Sequence, residues 1–390
     1  MSRVFIAGAA STRYGSFPDQ SIRSLSLEAV DKLFLETGIS PGQVQKVFFA
    51  NAAAGVLAQQ EMVRGQVVLR YHALAGKPLV NVENACASGG SALHLASRAV
   101  EYGELDVALV IGVEKLHHAD KERAFKALWG STDVTEIGEY PKAKSSNSVL
   151  MEFYAAVART YLHSWDATVE DYARVAVKNR NNAALNPIAQ FRTRQSLDQV
   201  LSARMITEPL TLPMCAPLTD GSTAILVCSA AFAKQHGLAK VAVRACEMAG
   251  SPGPGISPVI PACSMAYEKA GFGARDMDLI ELHDAAAPAE ILQYAEIGLC
   301  SEGEGHKLLR DGSTDITGKH PVNTSGGLLS RGHALGATGC AQVAEIFDQL
   351  RQRAEARQLK SPRLGMAVNG GGWMDDTYIL TVTTILELVD

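Results

Sequence analysis

The sequence offers no disulfide framework. Its seven cysteines, at 86, 215, 228, 246, 263, 300 and 340, are odd in number and unpatterned, which points to a reducing, cytoplasmic setting. No Cys-x-x-Cys pair or histidine cluster is present, so no metal is expected. His117 and His118 are adjacent and would not share one face of a helix. No apolar run approaches the ~20 residues needed to span a bilayer, and Met1 to Gly8 turns to serine and glycine too soon for a signal peptide. A basic footprint is missing as well. With 36 Lys+Arg against 41 Asp+Glu the net charge is -5, which excludes an extended nucleic-acid or membrane-surface partner. Low-complexity segments and long linkers are also lacking. What remains is a chain of 390 residues, 47% hydrophobic and 20% charged, able to bury a large core and long enough for two domains.

Within that chain Cys86 stands out by its neighbours. It lies in Asn84-Ala85-Cys86-Ala87-Ser88-Gly89-Gly90, ahead of a small-residue helical run from Ser91 to Val100. A thiol at a strand-to-helix turn feels the helix amide dipoles, which favour thiolate. Taken singly, a cysteine is more often a small buried hydrophobe than a nucleophile. A second constellation shifts that balance: Asn323-Thr324-Ser325-Gly326-Gly327, then Gly332-His333-Ala334-Leu335-Gly336-Ala337-Thr338-Gly339, then Gly370-Gly371-Gly372.

The chain also echoes itself. An apolar strand from Arg3 to Ala7 ending in Gly8 is matched by Lys240 to Ala245 followed by Glu247-Met248-Ala249-Gly250. Phe34 to Ile39 with Val44 to Asn51 parallels Tyr267 to Phe272 with Met277 to Asp284, each reading as helix, glycine stop, turn and strand. Cys86-Ala87-Ser88-Gly89 and Gly336-Ala337-Thr338-Gly339 each open a small-residue helix suited to close packing. Two halves follow, 1–238 and 239–390, the first carrying a polar helical insertion over about 114–219. Alternating strands and helices predict parallel sheets covered by helices. The unbroken apolar runs Val107–Gly112 and Ala224–Cys228 predict strands buried on both faces.

Cys86, the Gly-His segment and the last glycine turn, in this order, resemble the thiolase superfamily over the whole chain. Glu281-Leu282-His283-Asp284-Ala285-Ala286 stands where the sterol-carrier-protein type has His-Asp-Cys-Phe and ordinary thiolases have Asn-Glu-Ala-Phe. The likeness is therefore to the sterol-carrier-protein type and to thiolase-like acyltransferase subunits. It implies an α/β thiolase fold, two βαβαβαββ halves stacked as five layers (α/β/α/β/α). The insertion would cover the active site and hold the coenzyme A nucleotide. Lys178, Arg192, Arg194 and Ser251 are the candidate contacts, though a solvated helical face explains the basic residues equally well.

The resemblance implies Cys86 as nucleophile and His333 as its base. Oxyanion donors would be the N–H of Cys86 with that of Gly370 or Gly371, and a second pair, His283 with His333. Asp284 would orient His283 or cap the following helix. The chain departs from the family at both places where a second, proton-transferring cysteine is found: Ala285 and Ala286 fill one, Val368 or Asn369 the other. The expected activity is coenzyme A-dependent thiolysis of a 3-oxoacyl-CoA, with coenzyme A as co-substrate and no tightly bound cofactor. The alanines make a bulky or aromatic acyl group the expected one. The alternatives are C-acyl transfer, retro-aldol cleavage, or a non-catalytic scaffold. A homodimer or tetramer is expected, with a small zinc-ribbon/OB-fold protein as a further partner.

Overall fold

A computed structural model describes residues 4–137, 148–238 and 240–389; Arg3, which opens the first expected strand, and Ala239, which opens the second expected half, lie outside them. Strands β1 (Val4–Ser11), β2 (Lys46–Ala50), β3 (Leu79–Val82), β4 (Val107–Lys115) and β5 (Asp220–Ser229) belong to the first half. β6 (Val241–Gly250), β7 (Leu279–Glu281), β8 (Leu364–Gly371) and β9 (Leu380–Leu388) belong to the second. They join in one nine-stranded run, β3-β2-β4-β5-β1-β6-β9-β8-β7, the halves meeting where Phe5 and Ile6 pair with Ala242 and Val241. Only β3/β2, β2/β4 and β8/β7 are parallel. The middle of the run is antiparallel. The expected parallel sheets are thus mixed, because each half ends in a strand that returns antiparallel beside its predecessor.

The duplication is also incomplete in one respect. Where the first half has β3, the second has a single bridge between Ile280 and Val322. The chain leaves at Asn323, in the left-handed region at φ 55, and the Asn323 side chain accepts the Leu282 N–H at 2.8 Å.

The layers follow from which helix touches which strands. Helix α1 (Ile22–Thr37) covers the outer face of the first half, while α2 (Ser88–Glu101) lies against strands of both halves. Helices α3 (Val149–Ser164) and α4 (Val169–Ala183) belong to the insertion. Helix α5 (Val259–Ala270) covers the outer face of the second half, α6 (Ala287–Glu296) follows β7, and α7 (Leu335–Leu350) lies beside α2 between the halves. α1 opens on a Ser21–Ser24 capping box and stops at Gly38; α5 stops in the same way at Gly271.

The contact between α2 and α7 is one of backbone on backbone. A Cβ on Gly89 would lie 2.8 Å from the Gly336 carbonyl oxygen, and one on Gly339 would lie 2.5 Å from the Gly90 nitrogen. The insertion docks onto the second half through polar side chains of α4 and the turn after it. Asn182 donates to the Asn323 carbonyl at 3.0 Å and Asn186 to the Ser325 carbonyl at 2.8 Å. Among the described residues no helix is long and apolar enough to cross a membrane.

Gly339→Ala is expected to destabilise the protein by about 1–3 kcal/mol, since neither helix backbone has room to yield. Leu35→Ala, at a side chain 84% exposed, should stay within about 0.5 kcal/mol. Urea unfolding followed by tryptophan fluorescence measures both, and equal midpoints for the two variants would contradict the tight crossing.

Candidate active site

Cys86 occupies a turn between β3 and α2 that its own neighbours hold. Ala85 is left-handed at φ 47, an uncommon conformation for a residue with a side chain. Three hydrogen bonds fix it there. Glu83 accepts the Ala85 N–H at 2.6 Å, and the Ser88 hydroxyl donates to the Ala85 carbonyl at 2.6 Å while accepting the Asn84 N–H at 2.9 Å.

His333 reaches this turn from the loop before α7. Its backbone N–H donates to the Thr219 hydroxyl at 2.9 Å, and its Nε2 lies 3.2 Å from Cys86 Sγ. The bonding at the other ring nitrogen decides the tautomer. Thr338 spends its hydroxyl proton on the Ala334 carbonyl at 3.1 Å, so its oxygen accepts from His333 Nδ1 at 2.8 Å. Nε2 therefore presents a lone pair to the Cys86 thiol.

Burial pushes the Cys86 thiol up to about 12, with the Glu114 carboxylate adding to the effect and the cysteine's own amide partly opposing it. Burial, and then the Arg331 charge, bring the His333 imidazole down to about 3. Both directions favour a neutral thiol–imidazole pair. The pull toward thiolate expected from the helix start is opposed by desolvation: α2 begins at Ser88, and burial is the larger influence on the thiol.

His283 stands across from this pair, its ring T-shaped to that of His333 with centroids 5.1 Å apart. Its main chain is clamped by Gln293, which accepts from the His283 N–H at 3.1 Å and donates to its carbonyl at 2.9 Å. Tyr378 donates to the same carbonyl at 3.0 Å. Burial, the neighbouring His333 and Arg331 hold the His283 imidazole well below its ordinary range.

Asn369 ties the three groups together. Its Oδ1 accepts the Gly90 N–H at 3.2 Å, so Nδ2 is the atom that donates to the Cys86 carbonyl at 3.1 Å and faces His283 Nδ1 at 3.3 Å. An amide nitrogen only donates, so His283 Nδ1 accepts and Nε2 carries the proton. Of Val368 and Asn369, it is Asn369 whose side chain reaches the nucleophile. The signal for it was a polar residue inside a strand of otherwise apolar and small residues.

The polar atoms of Cys86, His283 and His333 lie within 4.8 Å of one another, but the set suits a metal poorly. His283 would need a lone pair at Nε2, and the donor facing Nδ1 keeps the proton there.

These residues open onto a cavity of about 190 Å³. Its wall is largely apolar, including Leu116, Phe125, Leu128, Met151 and Trp373, and it carries Cys215 and Arg204. Gly371 and Gly372 line it. Gly370 instead faces the Tyr378 ring and is not part of the wall, so Gly371 is the oxyanion candidate that the fold brings to the cavity. Ala285 lines the cavity, whereas Ala286 is packed away from it.

Two expectations are corrected, those for Asp284 and Lys178. Asp284 does not cap α6, whose preceding residue is Ala286; it accepts from Leu328 N–H at 2.7 Å, Leu329 N–H at 3.3 Å and Asn179 at 2.8 Å, so it caps the short helix Gly327–Ser330. Lys178 is buried, with Nζ 2.8 Å from both Glu290 and the Val322 carbonyl, which makes it an internal counter-ion and not a phosphate contact. Arg192 and Arg194 are exposed and stand outside the cavity wall. Ser251, likewise outside the wall, turns its hydroxyl to the Gly253 and Ile256 carbonyls at 2.8 and 2.9 Å.

Comparison with known proteins matches this geometry to a family. The model of the thiolase N-terminal domain matches residues 4–200, and that of the thiolase C-terminal domain-like region matches 241–386. Benzoylsuccinyl-CoA thiolase subunit BbsB of Thauera aromatica is 36% identical over 387 residues, 95% of each chain. Sterol carrier protein 2 of Rattus norvegicus is 31% identical over 95% of this chain and 70% of its own. Among solved structures, the Ltp2-ChsH2(DUF35) aldolase superposes with a TM-score of 0.78 over 99% of this chain and 98% of its own, at 22% identity.

A neutral resting pair has a kinetic signature. Alkylation of Cys86 by iodoacetamide should accelerate about tenfold per pH unit from about pH 6 to about pH 9 without levelling. A plateau across that range would reveal a preformed thiolate–imidazolium pair.

Proposed function

The chain belongs to the thiolase family, and we propose that it cleaves a 3-oxoacyl-CoA with a bulky or aromatic acyl group through an acyl-Cys86 intermediate. It is an acyltransferase with coenzyme A as co-substrate. The observation that carries the finer reading is the 3.2 Å approach of His333 Nε2 to Cys86 Sγ.

The chemistry follows from the tautomers. His333 takes the thiol proton as Sγ attacks the 3-oxo carbonyl. The Cys86 and Gly371 amides serve as donors to the oxygen that becomes negative. The bond between C2 and C3 then breaks, leaving an acyl group on Cys86 and an enolate of the departing acyl-CoA. His283 Nε2–H, a fixed neutral donor, is suited to the enolate oxygen. Coenzyme A then attacks the acyl-Cys86, and His333 returns the proton to the cysteine.

A large acyl group is supported by the apolar wall, by Ala285 where a bulkier side chain would narrow it, and by the substrate named for the Thauera relative. That relative is named as a subunit, which supports a partner chain here, such as a small zinc-ribbon/OB-fold protein, beside a homodimer or tetramer. The retained thiol–imidazole contact favours acyl transfer over retro-aldol cleavage, which needs no covalent acyl-enzyme, and over a non-catalytic scaffold.

Intact-protein mass spectrometry with benzoyl-, cyclohexanoyl- and acetyl-CoA should show an acyl adduct that Cys86→Ala abolishes and that His333→Ala slows by about 10²–10⁴-fold. The aromatic and alicyclic thioesters should acylate faster than acetyl-CoA. No adduct with any thioester would contradict the acyl-enzyme route, and a faster reaction with acetyl-CoA would contradict the bulky-substrate reading.

A further inference from the structure

Thiolysis leaves an enolate that must gain a proton at C2, yet Ala285, Val368 and Asn369 supply no acid at the two places where the family holds its second thiol. We propose that Cys215 is the acid that protonates this carbon, a role that rests on the thiolysis reading above.

Its placement follows from one short segment. Residues 215–219 run between the two histidine-bearing stretches of the site. Cys215 bridges to Ala286, and Ala216 N–H donates to the Ala285 carbonyl at 3.0 Å. At the segment's other end Leu218 bridges to His333, and the Thr219 hydroxyl accepts the His333 N–H. Cys215 is thus one position across the bridge from the alanines that stand where sterol-carrier-type thiolases place the cysteine of His-Asp-Cys-Phe. It lines the cavity shared by Cys86, His283 and His333, and is the only other thiol on that wall among the described residues.

A second observation marks where the substrate lies. The His283 side chain is 1% exposed and lines the cavity. Its Nδ1 is occupied by Asn369, so the Nε2–H is left for an incoming acceptor. The thioester oxygen of the enolate fits that donor, and its C2 would then face the Ala285 side of the wall, beside Cys215. The Cys215 thiol donates to the Thr211 carbonyl, at 3.6 Å. Burial holds this thiol protonated, the state an acid needs.

The protons balance over the cycle. Cys86 gives its proton to His333 and attacks. When the C2–C3 bond breaks, Cys215 S–H transfers its proton to C2 and becomes a thiolate opposite the His333 imidazolium. Coenzyme A thiol then reprotonates Cys215 and attacks acyl-Cys86, and the expelled Cys86 thiolate recovers the proton from His333. One 3-oxoacyl-CoA and one coenzyme A become two acyl-CoA molecules.

Cys215→Ala and the near-isosteric Cys215→Ser separate this role from packing, because transfer of an acyl group to Cys86 involves no carbon acid. With benzoyl-CoA, both variants are expected to acylate Cys86 within about twofold of wild type. Exchange of the C2 protons of acetyl-CoA with D₂O, followed by NMR, should fall by about 10²-fold or more, and thiolysis kcat with it. Unchanged exchange in either variant overturns the assignment, as does a loss of acylation equal to the loss of exchange, which would make Cys215 structural. Failure of the wild type to acylate would instead count against the thiolysis reading.

Discussion

The site depends on two helices being allowed to touch backbone to backbone. α2 carries the nucleophile turn at its start and α7 carries the histidine loop at its start. They belong to different halves, and they approach closely only because Gly89 and Gly339 present no side chain at the crossing. Two polar groups convert that approach into a fixed geometry. Glu114, at the end of β4, accepts N–H bonds from Ala52 and Ala53 of the first half and from Gly336 of the second. Asn369, from the second half, is bonded to Gly90, Cys86 and His283. The 3.2 Å contact of Cys86 and His333 is what these interactions produce.

Packing this close buries both groups, and desolvation then sets their protonation states. A buried thiolate–imidazolium pair would have to repay the transfer of two charges from water. Arg331, almost wholly buried and with no hydrogen-bond partner for its guanidinium nitrogens among the described residues, further disfavours a second cation on His333 or His283. The resting site is therefore electrically quiet. Charge develops only when a thioester supplies an oxygen to carry it, which is where preorganised donors contribute most. His283, with both its carbonyl and its ring held before substrate arrives, meets that requirement without reorganising.

Much of the fold was legible from the sequence because it is written in local signals. The glycine stops at Gly38 and Gly271, the apolar runs of β4 and β5, and the small-residue helices all depend on neighbours along the chain. So does the ordering of Cys86, His283 and His333, by motif. What the sequence left open depends on contacts between distant segments. Asp284 stands three residues before the first residue of α6, yet its carboxylate turns to Gly327–Ser330, which only the fold brings near. Lys178 reads as an exposed base until Glu290 is found beside it. The helix dipole at Cys86 is a local signal, whereas the burial that opposes it is a tertiary property. Asn369 was ambiguous between registers until the strand's facing showed which residue meets the nucleophile.

The central claim is a neutral site with opposed tautomers, and ¹⁵N NMR of histidine-labelled protein tests it most directly. The chain has 10 histidines, and His283→Ala and His333→Ala variants assign the two that matter. At neutral pH His333 is expected to be protonated at Nδ1 and His283 at Nε2, neither as imidazolium. An imidazolium signature at His333, or a proton on His283 Nδ1, would contradict it.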